Sequence, residues 1–82
     1  MILLRKNIKD NNILGGAKQM LKELRLQAGL TQKELSEKVH VNQSTVSMWE
    51  NGKSIPEMIN IKALAIILKV SAYDLAKYYY GI

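Results

Sequence analysis

Apolar residues recur at intervals of three and four positions through most of the chain after residue 16. This spacing places them on one face of an α-helix, and no stretch of useful length shows the alternation typical of a strand. The pattern predicts five helices, over about residues 17–28, 31–39, 43–50, 56–68 and from 71 onward. We therefore expect an all-α fold, a compact five-helix domain over residues 17–82 with a short N-terminal arm.

Several predicted helix starts coincide with residues that favour helix termini. Thr31 and Glu34 have the spacing of a capping box at helix 2, and Ser71 begins helix 5 with an acidic residue three positions later. Asn42 is a favourable N-cap for helix 3. Pro56 suits the first turn of helix 4, because its fixed φ and missing N–H cost nothing there. The loops between these helices are consequently short.

Helix 4 is apolar on two sides, which predicts that it is covered on two sides. The stripe expected to face the core comprises Met58, Ile61, Leu64, Ala65 and Leu68, and the second stripe comprises Ile59, Ala63, Ile66 and Ile67. The second stripe is covered either by the tyrosine-rich C-terminus and the leader or by another copy of the chain. We expect a homodimer, with Ile59, Ala63, Ile66, Ile67, Tyr78 and Tyr79 as the candidate interface residues.

Residues 1–16 form a separate N-terminal arm. They begin with an apolar run, become basic and end in Gly15-Gly16, which marks a break in the chain. Three interpretations remain open for this arm: a disordered segment, a strand that contacts the other subunit of a dimer, or an arm that enters the minor groove of DNA.

The composition excludes several kinds of chemistry. The chain has no Cys and one His, so neither a disulfide framework nor a metal site is expected, and no nucleophile has a nearby base. The apolar runs are too short to cross a membrane. The net charge of +5 indicates an anionic partner, although residues 1–25 contribute most of it, with six basic and two acidic groups. We expect a soluble cytoplasmic protein that is not an enzyme and has no cofactor.

Residues 31–53 are the most informative segment. They predict two short helices joined by a tight turn, and the second helix opens with the small polar residues Asn42-Gln43-Ser44-Thr45. Such side chains can hydrogen-bond to base edges in the major groove, while Val46 and Trp49 on the other face hold the helix to the core. Residues 43–48 contain no Lys or Arg, and Gln pairs well with adenine. An A·T preference is therefore expected opposite Gln43.

Residues 21–75 resemble the Cro/repressor-type (XRE-like) helix-turn-helix family. The matching fragments are Leu21-Lys22-Glu23-Leu24-Arg25, Gly29-Leu30-Thr31-Gln32, Glu34-Leu35, Gln43-Ser44-Thr45-Val46-Ser47, Glu50-Asn51-Gly52-Lys53, Pro56 and Val70-Ser71. Each fragment is weak alone, but their order and spacing together are specific. Two departures are His40 and Lys69, which stand where the family often has glycine.

The resemblance implies a repressor-like, dimeric DNA-binding domain whose third helix enters the major groove. It implies base contacts from Gln43, Ser44, Ser47 and Met48, and phosphate contacts from Gln32, Asn42, Thr45, Asn51, Gly52 and Lys53. In similar proteins the residue at Gln32 also props the first side chain of helix 3. It further implies an internal ion pair between Arg25 and Glu50.

The leading hypothesis is a sequence-specific regulator that binds double-stranded operator DNA, and a repressor in particular. One alternative is an antitoxin, whose main partner would be a small toxin protein. Another is a protein-interaction module that does not bind DNA. A neighbouring gene for a small toxin would favour the antitoxin. A complete absence of DNA binding would favour the protein-interaction module.

Overall fold

The computed structural model describes the backbone of residues 16–81 and the side chains of residues 20–81. This part of the chain forms five helices: α1 (Gly16–Gln27), α2 (Gln32–Val39), α3 (Gln43–Glu50), α4 (Met58–Leu68) and α5 (Ala72–Tyr80). The predicted all-α, five-helix fold is confirmed. The arm predicted over residues 1–16 lies outside the described residues, except for Gly16. Ile82 also lies outside them.

Side chains cap two of the helices as predicted. Thr31 accepts the backbone N–H of Glu34 at 3.0 Å, and the carboxylate of Glu34 in turn accepts the backbone N–H of Thr31 at 2.9 Å. Ser71 accepts the N–H of Asp74 at 3.2 Å. Each bond satisfies an N–H group that has no partner within its helix. These caps fix where α2 and α5 begin.

Pro56 does not begin helix 4, so that prediction is wrong. Glu57 is the N-cap, with extended φ and ψ of −70° and 162°, and α4 begins at Met58. Pro56 is buried, and its carbonyl accepts a hydrogen bond from the hydroxyl of Tyr80 in α5. The proline thus anchors the loop before α4 to the C-terminal helix, which local propensity alone does not reveal.

One apolar core joins all five helices. Its buried members are Met20, Leu21, Leu24, Leu35, Val39, Val46, Trp49, Ile61, Leu64, Ala65, Leu68, Val70, Leu75 and Ala76. Four of the five residues predicted for the inner stripe of helix 4 are among them. Met58 is instead 46% exposed. Since α4 begins at Met58, this side chain lies at the outer end of the stripe, beyond the core.

Each of the five helices ends at a residue in the left-handed conformation. These residues are Gly29, His40, Gly52, Lys69 and Gly81, with φ between 60° and 76°. After the first four, the next N–H bonds a carbonyl five residues earlier, as in Val41 to Ser36 at 2.9 Å and Val70 to Ala65 at 3.0 Å. This is the pattern of the Schellman motif. His40 and Lys69 therefore adopt the conformation that glycine provides in the family.

Within residues 16–81, no helix has the length and apolar character needed to cross a membrane.

Candidate nucleic-acid interface

The polar opening of the third helix lies at the surface. Gln43 and Ser44 are exposed, Ser47 is half-buried one turn later, and Met48 is 40% exposed. Residues three and four apart share a helix face, so these four side chains form one surface, called here the reading face. The four residues predicted to contact bases are thereby brought together on one exposed side of α3.

The opposite side of α3 is fixed to the core. Val46 is fully buried, and Trp49 is 4% exposed, as expected for a core residue rather than one that stacks on a base. Packing contacts link α3 to both α2 and α1. Because burying a large apolar side chain contributes about 1.5–3 kcal/mol, these two residues hold the helix firmly with its polar side outward.

The N-terminus of α3 differs from those of α2 and α5. Asn42 occupies the N-cap position as predicted, but its side chain makes no capping hydrogen bond. Its carbonyl accepts the N–H groups of Thr45 and Val46, at 3.0 and 3.4 Å. The side chain of Asn42 is exposed and that of Thr45 is half-buried. An uncapped helix N-terminus presents N–H groups and a positive dipole end, which suit an anion.

The turn after α3 presents three more of the predicted phosphate-contacting residues. Asn51, Gly52 and Lys53 are all exposed, and Gly52 has φ of 75°. The amide of Asn51 donates to the hydroxyl of Ser47 at 3.2 Å, which links this turn to the reading face. A Cβ added at Gly52 would meet no atom within 4 Å, so backbone conformation rather than space favours glycine here.

A buried charge pair ties α3 to α1. The Nε of Arg25 donates to Oε2 of Glu50 at 2.6 Å, and its Nη2 donates to Oε1 at 3.1 Å. The two side chains are only 8% and 3% exposed. Removing one partner of such a pair typically costs about 3–5 kcal/mol, because the other charge stays buried and unpaired. The ion pair that the resemblance implies is present, with bidentate geometry.

Two further bonds of this cluster were not anticipated from the sequence. Nη1 of Arg25 donates to the carbonyl of Leu30 at 2.9 Å. The amide nitrogen of Gln32, the first residue of α2, donates to Oε1 of Glu50 at 3.0 Å. The resemblance had suggested that Gln32 props the side chain at Gln43. Nothing in the sequence pairs residues 32 and 50, which are brought together only by the crossing of α2 and α3.

The six candidate dimer residues divide into two groups. Ile59 and Ile66 are 73% and 77% exposed, whereas the other four are half-buried. Tyr78 and Tyr79 pack against the core with their rings edge to face and their centroids 4.9 Å apart. Burial raises the pKa of Tyr79 far above its ordinary value of 10.0, with smaller contributions from Tyr78 and from the charge of Glu50. The tyrosines thus cover part of the domain, and α4 keeps Ile59 and Ile66 at the surface, besides Met58 at its first position.

Comparison with known proteins agrees with this geometry. A model of the helix-turn-helix family matches residues 21–75. Over 57 residues the chain is 33% identical to the HTH-type transcriptional activator BcrR of Enterococcus faecalis, a match that covers 70% of this chain and 28% of that protein. Over 58 residues it is 33% identical to the Type II methyltransferase M1.ScrFI of Lactococcus lactis subsp. cremoris, covering 67% of this chain and 15% of that protein.

This chain therefore spans less than a third of the length of either relative. The family match covers the five helices from the middle of α1 to the middle of α5, including the reading face and the buried charge pair. The chain belongs to the Cro/repressor-type (XRE-like) helix-turn-helix family of DNA-binding domains.

Proposed function

We propose that this chain is a transcriptional regulator that binds double-stranded DNA and reads its sequence in the major groove with α3. The observation that carries the proposal is that α3 has one exposed polar side and one buried apolar side. Gln43 and Ser44 are exposed at its first turn, while Val46 and Trp49 are buried behind them. A helix held in this way can enter the major groove without losing its contact with the core.

The side chains around α3 divide by chemistry into two sets. Gln43, Ser44, Ser47 and Met48 contact base edges, since amides and hydroxyls bond to bases and an apolar side chain can touch a thymine methyl. The surrounding set positions the protein on the phosphate backbone and comprises Gln32, Asn42, Thr45, Asn51, Gly52 and Lys53. The uncapped N-terminus of α3 supports a phosphate contact there, and the exposed ammonium of Lys53 supports another.

The regulator acts as a homodimer. Ile59 and Ile66 leave an apolar strip on α4 that a second copy of the same chain would cover, together with the half-buried Ala63, Ile67, Tyr78 and Tyr79. A two-fold dimer reads two half-sites whose centres lie about 34 Å apart, one turn of the double helix. The competing partner is a small toxin protein bound at the N-terminal arm or the tyrosine-rich C-terminus, and it would make the chain an antitoxin.

We propose that residues 17–82 are the DNA-binding domain of a cytoplasmic repressor that acts by occupying its promoter. Similarity to a protein named as an activator supports transcriptional regulation in general. Repression is the expected effect, because a domain bound at a promoter blocks it sterically. In a reporter assay, repression requires that deleting the binding site raises expression, and a fall in expression would instead identify an activator.

Selection of bound sequences from random duplex DNA tests the proposal. The expected result is a two-fold symmetric site with an A·T preference opposite Gln43, because glutamine matches the N6 and N7 groups of adenine. A guanine-only preference at that position would contradict the role of Gln43. Failure to enrich any duplex would contradict DNA reading altogether and would favour a protein-interaction module.

A further inference from the structure

We propose that Glu50 is a positioning residue for DNA binding, because its buried carboxylate holds the amide of Gln32 in place for a phosphate. The inference rests on the proposed function, in which Gln32 contacts the DNA backbone. It assigns the buried charge cluster a role in affinity as well as in folding. The cluster then couples the interior of the domain to its DNA-binding surface.

The geometry of the carboxylate carries the proposal. Oε2 of Glu50 accepts Nε of Arg25 at 2.6 Å, and Oε1 accepts both Nη2 of Arg25 at 3.1 Å and Nε2 of Gln32 at 3.0 Å. Arg25 is itself held by the carbonyl of Leu30 at 2.9 Å. A carboxylate with three donors, in a residue that is 5% exposed, cannot reorient freely. The acceptor that faces Gln32 is therefore fixed.

The amide of Gln32 has the capacity for a second partner. A glutamine amide carries two N–H donors, and the bond to Glu50 uses one of them. Gln32 is half-exposed and is the first residue of α2. A bond from the second N–H to a phosphate oxygen can form without breaking the bond to Glu50. Because the side chain is already ordered, less conformational entropy is lost on binding.

The central test measures DNA affinity by fluorescence anisotropy, on a selected duplex and on a random duplex, over a range of salt concentrations. Gln32→Met keeps the length of the side chain and removes its hydrogen bonds. We expect it to weaken binding to both duplexes alike, by about tenfold. The salt slope should stay unchanged, since a neutral amide displaces no counterion. Gln27→Met, at an exposed glutamine near the end of α1, is the matched control and should bind like the wild type.

Gln32→Lys tests the position of this side chain independently. An ammonium group can donate to Glu50 and to a phosphate together, so binding should persist with a steeper salt slope, by about 0.9 for each subunit. An unchanged slope would show that residue 32 does not meet a phosphate. The inference is likewise overturned if Gln32→Met loses no more DNA affinity than Gln27→Met.

A double-mutant cycle tests whether Glu50 acts through Gln32. Glu50→Gln should weaken DNA binding in the wild-type background and have little further effect in Gln32→Met, since coupled residues are not additive. Equal losses in both backgrounds, with folding verified by circular dichroism, would assign Glu50 a purely structural role and overturn the proposal. If Glu50→Gln does not fold, the outcomes for Gln32→Met and Gln32→Lys decide the matter. Failure of the wild type to bind any duplex would instead refute the proposed function.

Discussion

At the scale of single residues, His40 and Lys69 carry backbone strain that their glycine counterparts avoid. Both have φ near 60°, at helix ends where Gly29 and Gly52 adopt the same conformation. A residue with a Cβ pays roughly 1–2 kcal/mol for this conformation, because the Cβ approaches the following carbonyl oxygen. The side chain of His40 is exposed, between α2 and α3. The strain therefore lies in the turn that sets the angle between these helices.

Replacing His40 with glycine should stabilise the domain. We expect His40→Gly to raise the free energy of unfolding by about 1 kcal/mol, since relief of the left-handed strain outweighs the added entropy of the unfolded chain. Urea unfolding followed by circular dichroism provides the measurement. Gly29→Ala is the reverse control: its new Cβ would meet no atom within 4 Å, so it should destabilise through backbone strain alone. A His40→Gly variant less stable than the wild type would mean that the imidazole makes a stabilising contact.

At the scale of helices, the sequence predicts those features that depend on residues close together in the chain. The starts of α2 and α5 were predicted from the helical period and from the caps Thr31 and Ser71. These signals involve residues within one helical turn of each other. The start of α4 could not be predicted in this way, since the loop at Pro56 is held by Tyr80 from α5. The bond from Gln32 to Glu50 was equally inaccessible, as it depends on the crossing of two helices.

The apolar strip on α4 yields a prediction about assembly. Ile66→Lys should convert the proposed dimer into a monomer, because burying a lysine against the apolar strip of a second copy carries a large desolvation cost. Sedimentation equilibrium at tens of micromolar protein makes the measurement. Leu26→Lys on α1 is a matched control, since Leu26 is also exposed, at 56%, and should leave the dimer intact. A wild type that remains monomeric at high micromolar concentration would contradict the dimer.

At the scale of the whole molecule, one buried cluster connects the surfaces that the proposed function uses. Arg25 in α1, Gln32 in α2 and Glu50 in α3 are joined by hydrogen bonds across three helices. The reading face lies on α3, the helix that carries Glu50, and Tyr79 in α5 lies near enough for the charge of Glu50 to affect its pKa. The family resemblance predicted the ion pair between Arg25 and Glu50 and the residues of the reading face. The connection between them required the three-dimensional arrangement.

The central claim, that α3 reads bases while its surroundings hold phosphates, is tested most directly by comparing Gln43→Ala with Lys53→Ala. Affinities for the selected duplex and for a random duplex are measured over a range of salt concentrations. Gln43→Ala should lose about 1–3 kcal/mol of discrimination at one base pair and keep its salt slope. Lys53→Ala should weaken binding to both duplexes alike and reduce the slope by about one for each subunit. The claim is contradicted if both variants lose the same affinity on both duplexes.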